Sequence, residues 1–362
     1  MPRFIRLLLL PAVILASLAA GLWLKPAIPD TPPNAVCANF FLQQEVEAWK
    51  KEKTLQMAED AGITWAKQQF PWEDMEPKRG QFSWQKYDEL VALYEKHHIQ
   101  IIARLDRPPN WTKADPRFKQ GPPDDPADFG DFVAAFLAHY QGRIRYIQVW
   151  NEPNLLSEWG GKPPNAAAYL RLLQAAYVRA RQTDLQVRVL SAPLAPTLEE
   201  SGIATNDLLY LSQLYQLGAA NYFDILSANA FGQDLSADDP ANPAVLNFRR
   251  VELERNIMAL AGDAGKPVWI NEYGWNASPA YFKTRGDTLI WQRVSEEDQV
   301  AFTLRGIQKA RADWTWAGPL CIWYFRQVGA SSPNVQDYYF RMVDPDFSPR
   351  PLYDAIKRLA GK

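Results

Sequence analysis

Short apolar runs alternate with longer amphipathic segments along most of the chain. Eight runs rich in Val, Ile, Trp and Tyr have the length and composition of buried strands. They cover 35–40, 63–68, 99–105, 146–150, 187–192, 223–230, 267–271 and 320–325. Apolar residues recur at helical spacing over 42–61, 84–98, 128–140, 166–181, 207–217, 251–261, 296–314 and 352–359. The pattern predicts eight strands, each followed by a helix.

A short strand followed by a helix, repeated along a chain, is typical of parallel strand pairing. Eight such units close into a (β/α)8 TIM barrel, so we expect an α/β fold with a single domain over 35–362. An open doubly wound sheet is the alternative, but eight similar units favour closure. In a barrel the first and last strands are neighbours, which places Cys37 and Cys321 on adjacent strands. We expect two buried thiols there, with a disulfide as the alternative outside the cytoplasm.

The N-terminal segment has a different pattern from the rest of the chain. Arg3 and Arg6 precede the uncharged run 7–24, and small residues lie near the end of that run. This layout is typical of a secretory signal, but the run also reaches the lower length limit of a membrane span. We therefore expect a signal peptide or membrane anchor over 1–24 and a proline-rich linker over 25–34. Either reading places the body outside the cytoplasm, secreted or anchored to the membrane.

Charge and the rarer residue types exclude several classes of function. The chain has 39 Lys and Arg against 41 Asp and Glu, so it lacks the positive charge of a nucleic-acid-binding protein. Its three histidines all lie at or near the ends of predicted helices, which gives poor support for a Ser-His-Asp triad or a histidine zinc site. Two cysteines are too few for a zinc site. We expect no metal, no organic cofactor and no nucleic acid partner.

The carboxyl ends of the strands are where a barrel of this type carries its chemistry. The fourth predicted strand leads into Asn151-Glu152 and the seventh into Asn271-Glu272. Strands four and seven lie on opposite sides of an eight-stranded ring, so the two carboxylates face each other across its mouth. Either glutamate alone is commonly a salt-bridge partner or a helix-entry charge. Facing carboxylates are what cleavage of a glycosidic bond requires.

Three segments resemble motifs of a known group of enzymes. The sequence Trp150-Asn151-Glu152-Pro153-Asn154 resembles the acid/base motif of clan A glycoside hydrolases, which are retaining (β/α)8 enzymes. Residues 269–274 resemble their nucleophile strand, and residues 70–84 are similar to the segment after strand two of family 39 and its relatives. That group includes β-xylosidases and secreted endoglycosidases acting on bacterial exopolysaccharide. The resemblance covers most of 35–360 and implies an oligo- or polysaccharide substrate.

The same resemblance implies roles for individual residues. Glu152 would be the general acid/base and Glu272 the nucleophile, while Asn151 would bind the sugar 2-hydroxyl. Trp323, on the eighth predicted strand, would be the floor on which the sugar stacks, with a core indole as the alternative. Many clan members place His or Tyr at the end of strand six, against the nucleophile. Asn229 stands in that region here, and we expect it to donate the hydrogen bond instead.

Further polar and aromatic side chains lie near predicted strand ends. Arg104 is a candidate for a charge near the nucleophile or against a substrate anion, and an ion pair with Asp106 is the alternative. The remaining candidates for substrate binding are Asn39, Trp72, Trp111, Tyr273 and Trp275, with Lys67 and Gln69 on the same rim. Each of these is more often a packing residue than a ligand contact. The acidic cluster of Glu73, Asp74 and Glu76 is interpreted as loop and helix-entry charge.

The prediction is therefore a retaining O-glycosidase whose partner is a carbohydrate. Two alternatives stay open. A non-catalytic polysaccharide-binding barrel is suggested by the departure at strand six, although an intact pair of facing glutamates argues against it. A transglycosylase would use the same glycosyl-enzyme ester and give the sugar to an acceptor hydroxyl.

Overall fold

Eight parallel strands form one sheet in the computed structural model, which describes residues 35–115, 121–279, 291–329 and 333–362. The strands are β1 (Val36–Phe40), β2 (Trp65–Pro71), β3 (Gln100–Asp106), β4 (Tyr146–Val149), β5 (Arg188–Leu190), β6 (Leu226–Phe231), β7 (Val268–Gly274) and β8 (Ala317–Ile322). Their order is β5-β4-β3-β2-β1-β8-β7-β6. A parallel bridge between Leu190 and Ile225 joins the two ends of this order, so the barrel is nearly closed. This is the predicted architecture.

Helices connect successive strands and surround the barrel. They are α1 (Ala48–Asp60), α2 (Trp72–Met75), α3 (Gln85–Lys96), α4 (Pro126–His139), α5 (Ala166–Thr183), α6 (Asp207–Gln216), α7 (Val251–Leu260), α8 (Glu296–Asp313) and α9 (Pro351–Leu359). Among the described helices, none has the length and apolar character needed to cross a bilayer. The signal or anchor predicted over 1–24 and the linker over 25–34 lie outside the described residues.

Polar side chains fix the first turns of several helices. Asp125 accepts a hydrogen bond from the backbone at the start of α4, which has Pro126 in its first turn. Asn165, Asn206 and Ser295 do the same for α5, α6 and α8. Each cap satisfies backbone N–H groups that have no partner within the helix, so the helix starts are set locally by the sequence.

The lower interior of the barrel is filled by one side chain from, or directly before, each strand. These are Cys37, Trp65, Ile102, Tyr146, Leu190, Ile225, Trp269 and Cys321. Cys37 and Cys321 are register partners on β1 and β8, with Cα atoms 4.0 Å apart, and they form a disulfide. The expectation of two free thiols is therefore wrong, because parallel pairing sets both side chains opposite each other inside the barrel.

Polar side chains occupy the next layer toward the mouth. Because side chains alternate along a strand, residues two positions after the apolar floor point into the same interior. Asn39, Lys67, Arg104, Gln148, Ser227 and Asn271 hold these positions. The barrel thus changes from an apolar floor to a polar layer within one strand repeat, and the candidate site lies on this polar layer.

Candidate active site

Strand β7 sends two consecutive side chains into the barrel. Its register against both neighbouring strands shifts just after Ile270. A bulge of this kind adds a residue and re-aims the side chains that follow. Asn271 donates to Gln148 Oε1 at 2.6 Å, and Glu272 accepts from Lys67 Nζ at 2.6 Å. The predicted strand end at Asn271 is wrong for this reason, since Glu272 lies within the strand.

Glu272 is buried against a cation. Its side chain is 5% exposed and that of Lys67 is 2% exposed. Lys67 Nζ also lies 3.3 Å from Asn151 Oδ1. Burial lowers the pKa of the Lys67 ammonium, and the charge of Glu272 opposes that shift. The Lys67 ammonium therefore lies directly against the carboxylate of the predicted nucleophile.

Glu152 lies on a loop with an unusual backbone. Trp150 has φ 72° and Glu152 has φ 40°, in the left-handed region that residues other than glycine rarely adopt. Hydrogen bonds from Trp150 N to Leu105 O and from Glu152 N to Pro193 O hold this conformation. Asn154, fully buried, donates to two backbone carbonyls between β5 and α6. These hydrogen bonds tie the loop to β3 and to the segment that follows β5, so the surrounding structure holds the strained backbone in place.

One amide connects the two carboxylates. Asn229 Nδ2, on β6, donates to Glu152 Oε1 at 2.7 Å and to Glu272 Oε2 at 3.4 Å. The expected hydrogen bond from Asn229 to Glu272 is confirmed, and the shorter bond to Glu152 is additional. Burial raises the pKa of Glu152, and the negative charge of Glu272 raises it further. The two glutamates therefore share a donor yet have different surroundings, because among the described residues Glu272 pairs with a cation and Glu152 does not.

Asn151 is oriented by two donors. Its Oδ1 accepts from Lys67 Nζ at 3.3 Å and from Gln148 Nε2 at 3.4 Å. Within the part of the chain that the structure describes, its NH2 group has no hydrogen-bond acceptor. The amide therefore presents its donors beside Glu152 and Glu272.

Arg104 lies in an ion pair, as the alternative reading expected. Its Nε contacts Asp106 Oδ2 at 2.5 Å, and a terminal nitrogen lies 3.5 Å from Glu158 Oε2. Asp106 Oδ1 accepts from Gln69 Nε2 at 2.8 Å. Arg104 is therefore paired with acids of the barrel mouth, and Glu272 is near enough to act on its charge without an ion pair between them.

Trp323 follows β8 directly and is half-buried. Its Nε1 donates to Asp337 Oδ1 at 2.9 Å, and Phe41 packs edge-on at 5.4 Å between ring centroids. Burial raises the pKa of Asp337, and the charge of Glu272 raises it too, so this third carboxylate lies near the site. The indole is thus fixed in position while part of its surface stays exposed.

Other candidates lie away from the two glutamates. Trp72 is fully buried and stacks on Phe132, with Trp111 packed edge-on against it. Tyr273 and Trp275 are also buried. A Cβ atom on Gly232 would lie 2.0 Å from the Trp275 indole, so the indole packs against a position that must be glycine. Among the described residues, no hydrogen bond joins any of these four side chains to the carboxylates of Glu152 and Glu272.

Asn39 supports the site from below. It is buried, and its Nδ2 donates to the backbone oxygens of Asn271 at 3.0 Å and Ile322 at 3.3 Å. Asn39 therefore braces β7 and β8 at the point where they deliver Glu272 and Trp323. The structure assigns it to the barrel interior rather than to the rim.

The acidic cluster after β2 is structural, as interpreted from the sequence. Glu76 accepts from Trp72 Nε1 and from Gly80 N, each at 2.7 Å. Asp74 accepts from Lys86 at 2.8 Å and Tyr87 at 2.7 Å. Among the described residues, no group of three or more His, Cys, Asp or Glu side chains is arranged to hold a metal ion.

Lys67 and Asp337 belong to the site but are not prominent in the sequence pattern. Lys67 stands two positions after Trp65 within a strand, so the period of two already predicts that it points into the barrel. Asp337 lies in a 3-10 turn (Gln336–Phe340) between β8 and α9. No periodic signal marks a residue of that kind.

Comparison with known proteins finds the same architecture. A glycoside hydrolase family 42 model, described as beta-galactosidase, matches residues 40–117. A family 39 glycoside hydrolase from the gut symbiont Bacteroides cellulosilyticus WH2 is 17% identical, with a TM-score of 0.70 over 91% of this chain and 63% of that chain. The GH39 enzyme from Xanthomonas axonopodis pv. citri is 15% identical, with a TM-score of 0.69 over 93% of this chain and 68% of that chain.

A third solved structure extends the likeness beyond family 39. GH5_18 from Streptomyces cattleya, in complex with GlcNAc, is 14% identical, with a TM-score of 0.65 over 90% of this chain and 79% of that chain. No curated protein matches the sequence significantly. The chain spans about two thirds of the length of the two family 39 structures. It is therefore similar in fold to the clan A glycoside hydrolases that the sequence motifs resemble.

Proposed function

We propose that the protein is a retaining O-glycosidase that cleaves an oligo- or polysaccharide outside the cytoplasm. The observation that carries this proposal is the amide of Asn229, which bonds Glu152 at 2.7 Å and Glu272 at 3.4 Å. The two accepting oxygens therefore lie no farther apart than the sum of these distances. This bound between the two bonded oxygens is compatible with the roughly 5–5.5 Å that separates the carboxyl groups of retaining enzymes.

The mechanism follows from the different surroundings of the two glutamates. Glu272, facing Lys67, attacks the anomeric carbon as a carboxylate, while Glu152 gives its proton to the departing oxygen. The C–O bond to the leaving group breaks as the glycosyl ester forms on Glu272. Water then attacks the anomeric carbon, Glu152 takes a proton from that water, and the ester bond breaks. The proton that Glu152 gives to the leaving group is replaced by the proton taken from water, so each glutamate returns to its starting form.

Two further side chains complete the site for the bound sugar. The free NH2 of Asn151 is placed to donate to the 2-hydroxyl, a contact that strengthens in the transition state. Trp323, fixed by Asp337, offers an indole face on which the apolar face of a sugar ring can stack. These roles explain why hydrogen bonds orient both side chains.

The disulfide between Cys37 and Cys321 supports a location outside the cytoplasm. Structural disulfides persist in oxidising compartments and are rare in the cytosol. The N-terminal pattern of arginines followed by an apolar run predicts the same location. Secretion and membrane anchoring are both compatible with these two observations.

Trapping of the glycosyl ester tests the proposal. The purified full-length chain is incubated with a panel of activated 2-deoxy-2-fluoro glycosides and analysed by intact-mass and peptide mass spectrometry. We expect an adduct on the peptide that contains Glu272, and no adduct with the Glu272→Gln variant. An adduct on another residue, or full activity of Glu272→Gln, would refute the assignment. Product analysis with and without an added acceptor sugar then separates hydrolysis from transglycosylation.

A further inference from the structure

A small polar recess lies beside Glu152, between the carboxyl ends of β3 and β4. Its walls are Arg104, Asp106, Arg107, Trp150 and Glu158. Trp150 directly precedes the Asn151-Glu152 pair, and the charge of Glu158 helps to raise the pKa of Glu152, so the recess adjoins the acid/base. Because Glu152 protonates the departing oxygen, the leaving-group sugar lies on this side.

The charges that line the recess are unequally paired. Asp106 has both oxygens occupied, one by Gln69 and one by Arg104. Glu158 is half-exposed and contacts Arg104 at 3.5 Å, which is longer than a hydrogen bond. Arg104 and Asp106 therefore neutralise each other, and Glu158 is only weakly held.

Arg107 is the remaining cation of the recess. Its backbone is left-handed, with φ 51°, and its carbonyl accepts from Glu73 N at 2.9 Å, which fixes the turn after β3. The side chain is half-buried, and within the described ranges its guanidinium makes no hydrogen bond and no ion pair. Burial raises the pKa values of Glu73 and Glu158, and the charge of Arg107 partly opposes that rise. Both carboxyl groups therefore lie near Arg107 without a bond to it.

We propose that Arg107 binds a carboxylate on the leaving-group sugar, and hence that the substrate is an acidic polysaccharide with a carboxylate-bearing residue at this position. The inference rests on the proposed function, because only cleavage at Glu152 defines a leaving-group side. A guanidinium presents a planar fork of donors that matches a carboxylate with two parallel hydrogen bonds. A neutral sugar hydroxyl would use only part of that fork.

Reactivation of the trapped enzyme tests this proposal without knowledge of the natural linkage. The 2-fluoroglycosyl adduct on Glu272 is formed first, freed of excess reagent, and mixed with an acceptor sugar that occupies the leaving-group side. The acceptors are the methyl glycosides of glucuronic and galacturonic acid, each compared with its neutral hexose counterpart. Loss of the adduct is followed by intact-mass spectrometry against acceptor concentration.

For the wild type we expect half-maximal reactivation at about 10-fold or more lower concentration of a uronate than of its hexose counterpart, as a charge-assisted pair provides. Arg107→Gln should abolish that preference. Arg107→Lys, which keeps the charge but loses the fork, should keep part of it. Arg79→Gln is the matched control, because Arg79 is an exposed arginine paired with Asp128 outside the recess.

Each outcome decides one of the two proposals. Absence of an adduct in the wild type refutes the proposed function and leaves no trapped enzyme to reactivate. When the adduct forms, equal use of uronate and hexose, failure of every uronate to reactivate, or a preference that survives in Arg107→Gln overturns the assignment of Arg107. An equal weakening of uronate and hexose in that variant shows a hydroxyl contact and also overturns it.

Discussion

Replacement of Lys67 by Met tests how the nucleophile is held in place. Methionine has a similar length but no charge, so Glu272 loses its 2.6 Å contact and, among the described residues, keeps the 3.4 Å contact with Asn229. Hydrogen bonds to charged groups contribute about 1.5–3 kcal/mol. If that energy holds Glu272 in the position from which it attacks, kcat/KM falls by about 10- to 150-fold when the contact is lost.

A dinitrophenyl glycoside of the sugar accepted in the trapping experiment is the substrate for this test. Its leaving group departs without a proton, so the rate reports attack by Glu272 and not proton transfer from Glu152. We expect kcat/KM of Lys67→Met to fall for this substrate, because the carboxylate has lost the cation that orients it. Lys67→Arg should lose less, since it keeps a positive charge.

Loss of stability must be separated from loss of position in this test. Breaking a buried ion pair destabilises a fold by about 3–5 kcal/mol when the partner stays charged, so urea unfolding is measured for each variant. Lys309→Met is the matched control, because Lys309 is a buried lysine paired with Asp313 at 2.7 Å on α8, outside the site. A folded Lys67→Met variant with kcat/KM close to that of the wild type would refute the reasoning.

Three further predictions concern the acid, the stacking floor and the disulfide. Burial and the charge of Glu272 raise the pKa of Glu152 to about 8, so kcat/KM for a substrate with a poor leaving group should fall above that pH. This fall at alkaline pH should be absent when Glu152→Gln acts on a dinitrophenyl substrate. Asp337→Ala, which frees the Trp323 indole, should raise KM by about 3- to 10-fold, whereas Asp337→Asn, which keeps an acceptor, should stay near the wild type in steady-state kinetics. The double replacement of Cys37 and Cys321 by Ala should lower the free energy of unfolding by about 2–5 kcal/mol in urea titrations, and a wild-type curve unchanged by reduction would contradict this.

The fold was predictable because its signals are local. Apolar runs and helical periods are properties of adjacent residues, and helix caps such as Asn165 and Asn206 stand next to the turns they fix. The facing glutamates followed from topology, since strands four and seven lie on opposite sides of any eight-stranded ring. Motif and topology together were enough to select Glu152 and Glu272 for the site.

The details that the sequence did not predict depend on register and on distant segments. Nothing in residues 267–271 shows that β7 shifts register and carries Glu272 within the strand. Trp72, Tyr273 and Trp275 fit a cleft and a core equally well by residue type, and only packing distinguishes them. Arg104 and Arg107 are three residues apart, yet one is neutralised by Asp106 and the other is not, which depends on side-chain positions rather than on sequence.

The bond between the first and last strands gives the chain the topology of a ring. Residues 37 and 321 are 284 positions apart, so most of the barrel lies inside one covalent loop. A protease that cuts once in any loop between them leaves a single molecule, because the two pieces stay tied through sulfur. Such a nicked molecule would migrate as one band on a denaturing gel and separate into two only after reduction. A single cut in a surface loop would thus leave every strand of the barrel covalently attached.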